Sequence, residues 1–164
     1  MNKTILLLTI LALLIGGCAS STNITQPLEA PTVAEVKTFG EIEIKNNDTK
    51  APEHFINAVE SYIKQGLQER SIYDQESGKK ISVSVNKYRM RKGMTRMMFG
   101  ILAGKDGIDS TVKVYSPDGG KVLGSSEVSS YNVMAVGSQD DIARMHGEEI
   151  VKFLSGEAKQ STTE

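Results

Sequence analysis

The sequence predicts an α+β fold: a two-layer sandwich in which two helices cover one face of a mixed, mostly antiparallel sheet of about four strands. Three observations support this fold class. Two segments carry apolar residues at helical spacing, and several others alternate apolar and polar residues as half-buried strands do. The predicted elements follow one another as strand, helix, strand, hairpin and helix. A chain of 164 residues corresponds to one domain, which we place at residues 34–156.

The first predicted strand and helix lie in the N-terminal half of this domain. Residues 36–44 alternate towards their end, and the residues from Asn46 to Asp48 favour a turn. Pro52 suits the first turn of a helix, and apolar residues recur at helical spacing from Phe55 through about Arg70. Gly66 weakens this helix without preventing it.

A strand and a hairpin are predicted next. Ile81, Val83 and Val85 alternate with polar residues, which indicates a strand continuing towards Met90. Residues 111–115 and 121–131 alternate again. The Pro-Asp-Gly-Gly sequence between them favours a tight turn, so we expect these two segments to form a β-hairpin.

The last predicted helix has clear signals at both ends. Ser138 can cap its start, with Asp141 three residues on as in a capping box, and Gly156 can end it. Residues 157–164 are predicted to be a frayed polar tail. One face of this helix is apolar or small and is predicted to pack on the core: Ala143, Gly147, Ile150, Val151 and Leu154.

Composition limits the classes of protein to consider. The chain is 39% hydrophobic and 24% charged, so it can bury a core and is not disordered throughout. Its formal net charge of -1 gives no indication of a nucleic-acid partner. The single cysteine, Cys18, excludes an internal disulfide, so the fold must rest on hydrophobic burial.

The N-terminus has the layout of a secretory signal. Residues 1–17 carry Lys3, then an apolar run from Ile5 to Ile15, then two glycines. A membrane-spanning helix needs about 20 apolar residues, more than this run provides. We therefore predict a signal peptide at 1–17 and, because residues 18–33 are small, polar and interrupted by prolines, a flexible tether before the domain.

The residues Ile15-Gly16-Gly17-Cys18 resemble the lipobox of bacterial lipoproteins. The resemblance implies cleavage before Cys18, a diacylglycerol thioether on its sulfur and acylation of its new amine. Two or three acyl chains hold a protein on a membrane effectively permanently. Cys18 is followed by Ala19 and not by the aspartate that retains such proteins in the inner membrane, which implies delivery to the outer membrane and a periplasmic-facing domain.

The segment from Lys87 to Gly107 is unusual because basic residues alternate with methionines. Three interpretations remain open. The first is a long connection whose apolar residues enter the core while its cations are solvated. The second is a docking segment for an envelope protein. The third is a surface that binds anionic headgroups or the acidic wall polymer. The residues predicted to contact a partner are Arg89, Arg91, Lys92, Arg96 and Lys105.

No catalytic or cofactor motif is found. His54 and His146 are the only histidines, and neither belongs to a zinc-binding motif, so we predict no metal, no cofactor and no enzyme. His146, beside Glu148 and Glu149, is expected on a solvated helix face. Gly100 to Lys105 lacks the spacing of a phosphate-binding loop.

Residues 34–156 resemble uncharacterised Gram-negative lipoprotein domains in three places: the glycine-rich run from Phe99 to Gly104, the strand Val112–Tyr115 with its Pro-Asp-Gly-Gly turn, and the terminal helix. They resemble more distantly the curli-secretion and wall-synthase-activator lipoproteins. The resemblance implies a non-enzymatic accessory or binding module for an envelope protein complex. The alternative is a self-assembling component, and so a homo-oligomer, of an export system.

Overall fold

The computed structural model describes residues 18–28, 38–90, 105–132 and 138–158, and shows five strands and two helices. The predicted signal peptide lies outside these residues. The elements, in chain order, are β1 (Cys18–Gln26), β2 (Glu41–Asn46), α1 (Glu53–Glu69), β3 (Lys80–Arg89), β4 (Asp106–Tyr115), β5 (Val122–Asn132) and α2 (Gln139–Ser155).

The strands form one sheet in the order β1-β5-β4-β3-β2. All neighbours are antiparallel except β2 and β3, which are parallel and joined through α1. Both helices pack on the same face of this sheet. The predicted α+β class, with a mixed and mostly antiparallel sheet, is confirmed.

The core lies between the helices and the sheet. On β3, Ile81, Val83 and Val85 are fully buried beneath the helices, while Ser84 between them and Asn86 after them lie on the opposite side, here called the open face. The same alternation runs through β4 and β5. Phe39, Phe55 and Phe153 supply aromatic bulk to this core.

The two helices run parallel and approach each other closely at two glycines. A methyl group at Gly66 would lie 2.9 Å from Val151 Cγ2, and one at Gly147 would lie 2.7 Å from Tyr62 Cβ. Gly66 was expected only to weaken α1. The structure gives it a packing role, because a larger residue there would push the helices apart.

The predicted ends of α2 are confirmed. The Ser138 hydroxyl accepts the backbone N–H of Asp141 at 3.2 Å, and the Asp141 carboxylate accepts the backbone N–H of Ser138 at 2.7 Å. These bonds lower the pKa of Asp141. Gly156 ends the helix with a φ of 82°, in the left-handed region that favours glycine.

The prediction of a flexible tether at 18–33 is wrong for its first nine residues, which form the edge strand β1. Ser20 Oγ lies 2.9 Å from Ser130 Oγ, and Thr22 Oγ1 donates to Glu149 Oε1 at 2.6 Å. Hydroxyl groups make most of the contacts on the buried side of β1, which explains why residues 18–26 show no clear hydrophobic alternation. Residues 29–33 lie outside the described part.

Two other predicted boundaries differ from the structure: the start of β4 and the start of the C-terminal tail. β4 begins at Asp106, within the predicted basic connection, because residues 107–109 pair with the end of β3. The start of the predicted polar tail is packed rather than frayed. The Arg70 guanidinium donates to both carboxylate oxygens of Glu157, at 3.0 and 3.1 Å, and Ala158 packs against the core.

Candidate functional site

A basic cleft opens on the open face of the sheet, at the end where β1 and β4 begin and β3 and β5 finish. We call this the Cys18 end. Backbone pairing aligns one row of residues across it: Ala19 with Tyr131, Tyr131 with Gly107, and Gly107 with Arg89. Paired residues share a face of the sheet, so the side chains of this row lie on the open face.

The cleft encloses about 340 Å³. Asp109 is the one carboxylate among the described lining residues, and it accepts a hydrogen bond from the Tyr131 hydroxyl. The Lys105 ammonium lies 5.8 Å from the centre of the Tyr131 ring, which is within the range of a cation–π contact. Burial and the bond to Asp109 both raise the pKa of Tyr131, so the phenol stays protonated. The lining residues are Lys87, Arg89, Lys105, Gly107, Asp109 and Tyr131.

Gly107 gives the cleft its floor. A methyl group at this position would overlap the Tyr131 ring and would lie 2.6 Å from the carbonyl oxygen of Ser130. Any side chain here would therefore displace Tyr131 and with it the bond to Asp109. The sequence marked Gly107 only as the end of a basic segment, and no local signal indicates this contact with Tyr131.

A second depression of about 320 Å³ adjoins the cleft and shares Lys87 and Arg89 with it. Asp48 lines it and accepts the backbone N–H groups of Tyr88, at 2.8 Å, and of Lys50, at 3.0 Å. These bonds lower the pKa of Asp48 and hold it ionised. Among the described residues that line the two depressions there are four cations and two carboxylates, so this part of the surface carries a net positive charge.

The structure brings together only some of the predicted site residues. Arg89 and Lys105 lie in the same cleft, as lining residues on β3 and just before β4. Cys18 is the first residue of β1, at the same end of the sheet. The remaining predicted residues lie outside the described part of the chain: Ile15, Gly16, Gly17, Arg91, Lys92 and Arg96.

The expectation for His146 is wrong: this residue is fully buried beneath the sheet. Its Nε2 lies 2.6 Å from Ser110 Oγ and its Nδ1 lies 3.1 Å from Ser130 Oγ. Burial lowers the pKa of His146 to about 3, so the ring is neutral, although the charge of Asp109 opposes the shift. The same face of α2 carries Ala143 and Ile150, three residues before and four after it.

The His146 arrangement resembles a catalytic serine–histidine pair in composition alone. A nucleophilic serine must be reached by substrate, and Ser110 and Ser130 are 2% and 0% exposed. His54, by contrast, is exposed and its Nε2 lies 3.0 Å from Gln139 Oε1. Among the described residues no group of histidine, cysteine and carboxylate side chains could hold a metal ion.

Neither of the two described helices is both long enough and apolar enough to cross a bilayer.

Comparison with known proteins identifies solved structures with a similar fold. No family model and no curated protein matches the sequence. A structure of the PelC dodecamer from Paraburkholderia phytofirmans aligns with a TM-score of 0.60 at 15% identity, covering 87% of this chain and 100% of that chain. A single-substitution variant of the same dodecamer aligns with a TM-score of 0.60 at 16% identity, covering 88% of this chain and 100% of that chain. A likeness at this identity establishes the shared fold and nothing more.

A minor lipoprotein from Acinetobacter baumannii aligns with a TM-score of 0.35 at 9% identity, over 74% of this chain and 97% of that chain. This score is too low to carry any argument.

Proposed function

We propose that the protein is a lipid-anchored accessory lipoprotein at the periplasmic face of the outer membrane, where it binds an envelope protein without catalysing a reaction. One observation carries the proposal: Cys18, the residue of the lipobox that would carry the lipid, is also the first residue of the sheet. An acyl anchor at this position holds the folded domain directly against the bilayer. The domain is then placed to act on membrane-bound partners.

The basic cleft lies at this same end, which bears on the predicted partner contact. Arg89 and Lys105 would be held beside the membrane surface rather than presented to the periplasm. We therefore assign protein binding to the surfaces further from the anchor. The open face away from the cleft offers exposed polar side chains such as Lys113 and Glu127, and no described helix packs on it.

Intact mass of the protein purified from membranes tests the anchor. The expected mass is that of residues 18–164 plus a lipid adduct, and the Cys18→Ala variant should lack both the cleavage and the adduct. An unlipidated mature chain, or a chain that retains residues 1–17, contradicts the proposal.

Photo-crosslinking tests the accessory role. A photoreactive residue at Lys113 or Glu127 should give adducts with an envelope protein, and these adducts should be lost in the Cys18→Ala variant. The matched control is the same residue at Glu60, exposed on α1. An absence of adducts from every exposed position in a correctly lipidated protein would count against an accessory role.

The second candidate function is a self-assembling component of an envelope export system. The observation that favours it is the fold shared with PelC over the whole of that chain, since the PelC structures are dodecamers. Light scattering on residues 18–164 carrying Cys18→Ser, produced without the signal peptide, separates the candidates. A defined oligomer supports self-assembly, and a monomer at all tested concentrations supports the adaptor.

A further inference from the structure

We infer that the basic cleft binds the anionic headgroups of the bilayer in which Cys18 is anchored, and that this contact fixes the domain with its Cys18 end on the membrane. The inference deepens the proposed function and rests on it. The observation that supports the inference is that Cys18, at the start of β1, lies at the same end of the sheet as the cleft residues Lys87, Arg89 and Lys105.

The sheet register sets the distance between the anchor and the cleft. Ala19, Tyr131, Gly107 and Arg89 form one row across four adjacent strands. At a strand spacing of about 4.8 Å, the row spans about 14 Å. Since Cys18 directly precedes Ala19, an acyl group on Cys18 keeps Arg89 within about 14 Å of the attachment point. When the Cys18 end faces the bilayer, the cleft cations come within about one Debye length of its surface, where salt does not fully screen them.

The chemistry of the cleft suits phosphate-bearing headgroups. Lysine and arginine bind phosphate through charge-assisted hydrogen bonds. In the part of the lining that the structure describes, four cations outnumber two carboxylates. Those carboxylates, Asp48 and Asp109, already accept bonds from backbone N–H groups and from the Tyr131 hydroxyl. Tyr131 adds an aromatic ring with a polar tip, the side-chain type favoured at a membrane interface.

The size of the effect follows from the anchor. Two or three acyl chains already hold the protein on the membrane, so the cleft contributes orientation rather than attachment. Each cation near an anionic surface gains roughly a fivefold preference for the membrane. Lys87, Arg89 and Lys105 together should favour the docked orientation on the order of a hundredfold over free rotation about the anchor.

Energy transfer from a single tryptophan to a dansyl-labelled headgroup tests this orientation in the lipidated full-length protein. The natural sequence has no tryptophan, so one substitution supplies one donor. Thr49→Trp places it in the exposed turn after β2, at the Cys18 end but four strands from β1. Glu76→Trp places it before β3, at the opposite end of the ten-residue strand, about 30 Å away.

In vesicles of phosphatidylethanolamine and phosphatidylglycerol, transfer from Thr49→Trp should exceed transfer from Glu76→Trp severalfold. The difference should disappear when Lys87→Gln, Arg89→Gln and Lys105→Gln are combined, and at high salt. The control variant also loses three positive charges, but in the half of the sheet away from the Cys18 end: Lys79→Gln, Lys113→Gln and Lys121→Gln.

Two results would overturn the inference: equal transfer from both donors, or transfer from Thr49→Trp that survives loss of the three cleft cations. Both leave the proposed function intact if intact mass shows the lipid. If the mass shows no lipid, the proposed anchor fails, and the orientation that depends on the anchor fails with it. Sedimentation of the unlipidated chain with the same vesicles then still tests the cleft, because binding that the cleft variant loses and the control variant keeps would support headgroup contact.

Discussion

Acidification should destabilise the domain through His146. The ring is fully buried between α2 and the sheet, and its pKa falls from 6.5 to about 3 because burial penalises the charged form. Between these two pH values the unfolded chain binds a proton that the native protein does not. The contribution of His146 is therefore complete above pH 6.5 and is lost progressively as the pH falls towards 3.

The magnitude follows from this linkage. One proton of difference changes the free energy of unfolding by about 1.4 kcal/mol per pH unit. Moving from pH 7 to pH 5 should therefore cost about 2 kcal/mol, a large share of the roughly 5–15 kcal/mol that stabilises a typical domain.

Urea denaturation followed by circular dichroism measures this loss, using residues 18–164 with Cys18→Ser, produced without the signal peptide, so that no lipid is needed. His146→Gln cannot titrate. It should be less stable at pH 7 by about 1–3 kcal/mol, because Ser110 and Ser130 lose a partner, but it should change little between pH 7 and pH 5. The matched control His54→Gln removes an exposed histidine and should keep the full pH dependence. An equal loss in wild type and His146→Gln would refute the reasoning.

Other substitutions test the packing and the caps. Gly147→Ala should destabilise the protein by about 1–2 kcal/mol in urea denaturation, because the methyl group meets Tyr62 Cβ at 2.7 Å; in an open helix the same change would stabilise by about 1 kcal/mol. Gly120→Ala, with no atom nearer than 3.6 Å, is the control and should change little. Ser138→Ala should cost about 1 kcal/mol through the lost bond to Asp141, and an unchanged midpoint would contradict the capping box.

The predictable part of the fold is the part that hydrophobic patterning encodes. β3 was predictable because Ile81, Val83 and Val85 alternate with polar residues, and α2 because its caps and its apolar face agree. β1 was not, since the side chains it turns towards the helices include Ser20 and Thr22, whose partners Ser130 and Glu149 lie more than a hundred residues away.

The helical spacing of His146 indicated that it would be buried, but its polarity and its acidic neighbours indicated the opposite. It lies three residues after Ala143 and four before Ile150, on the face predicted to be buried. Two hydroxyls on the facing strands supply the hydrogen bonds that make burial of the neutral ring tolerable, and spacing along one sequence does not indicate which strands will face a helix.

The position of Cys18 also decides how the domain bears mechanical load. β1 runs away from the Cys18 end, antiparallel to β5, and is paired along its length with that strand. A pull on a lipid attached to Cys18 would act along the strand axis, so the hydrogen bonds between β1 and β5 would share the force instead of opening one after another. An edge strand attached in this shear geometry withstands traction on the anchor better than one peeled from its end.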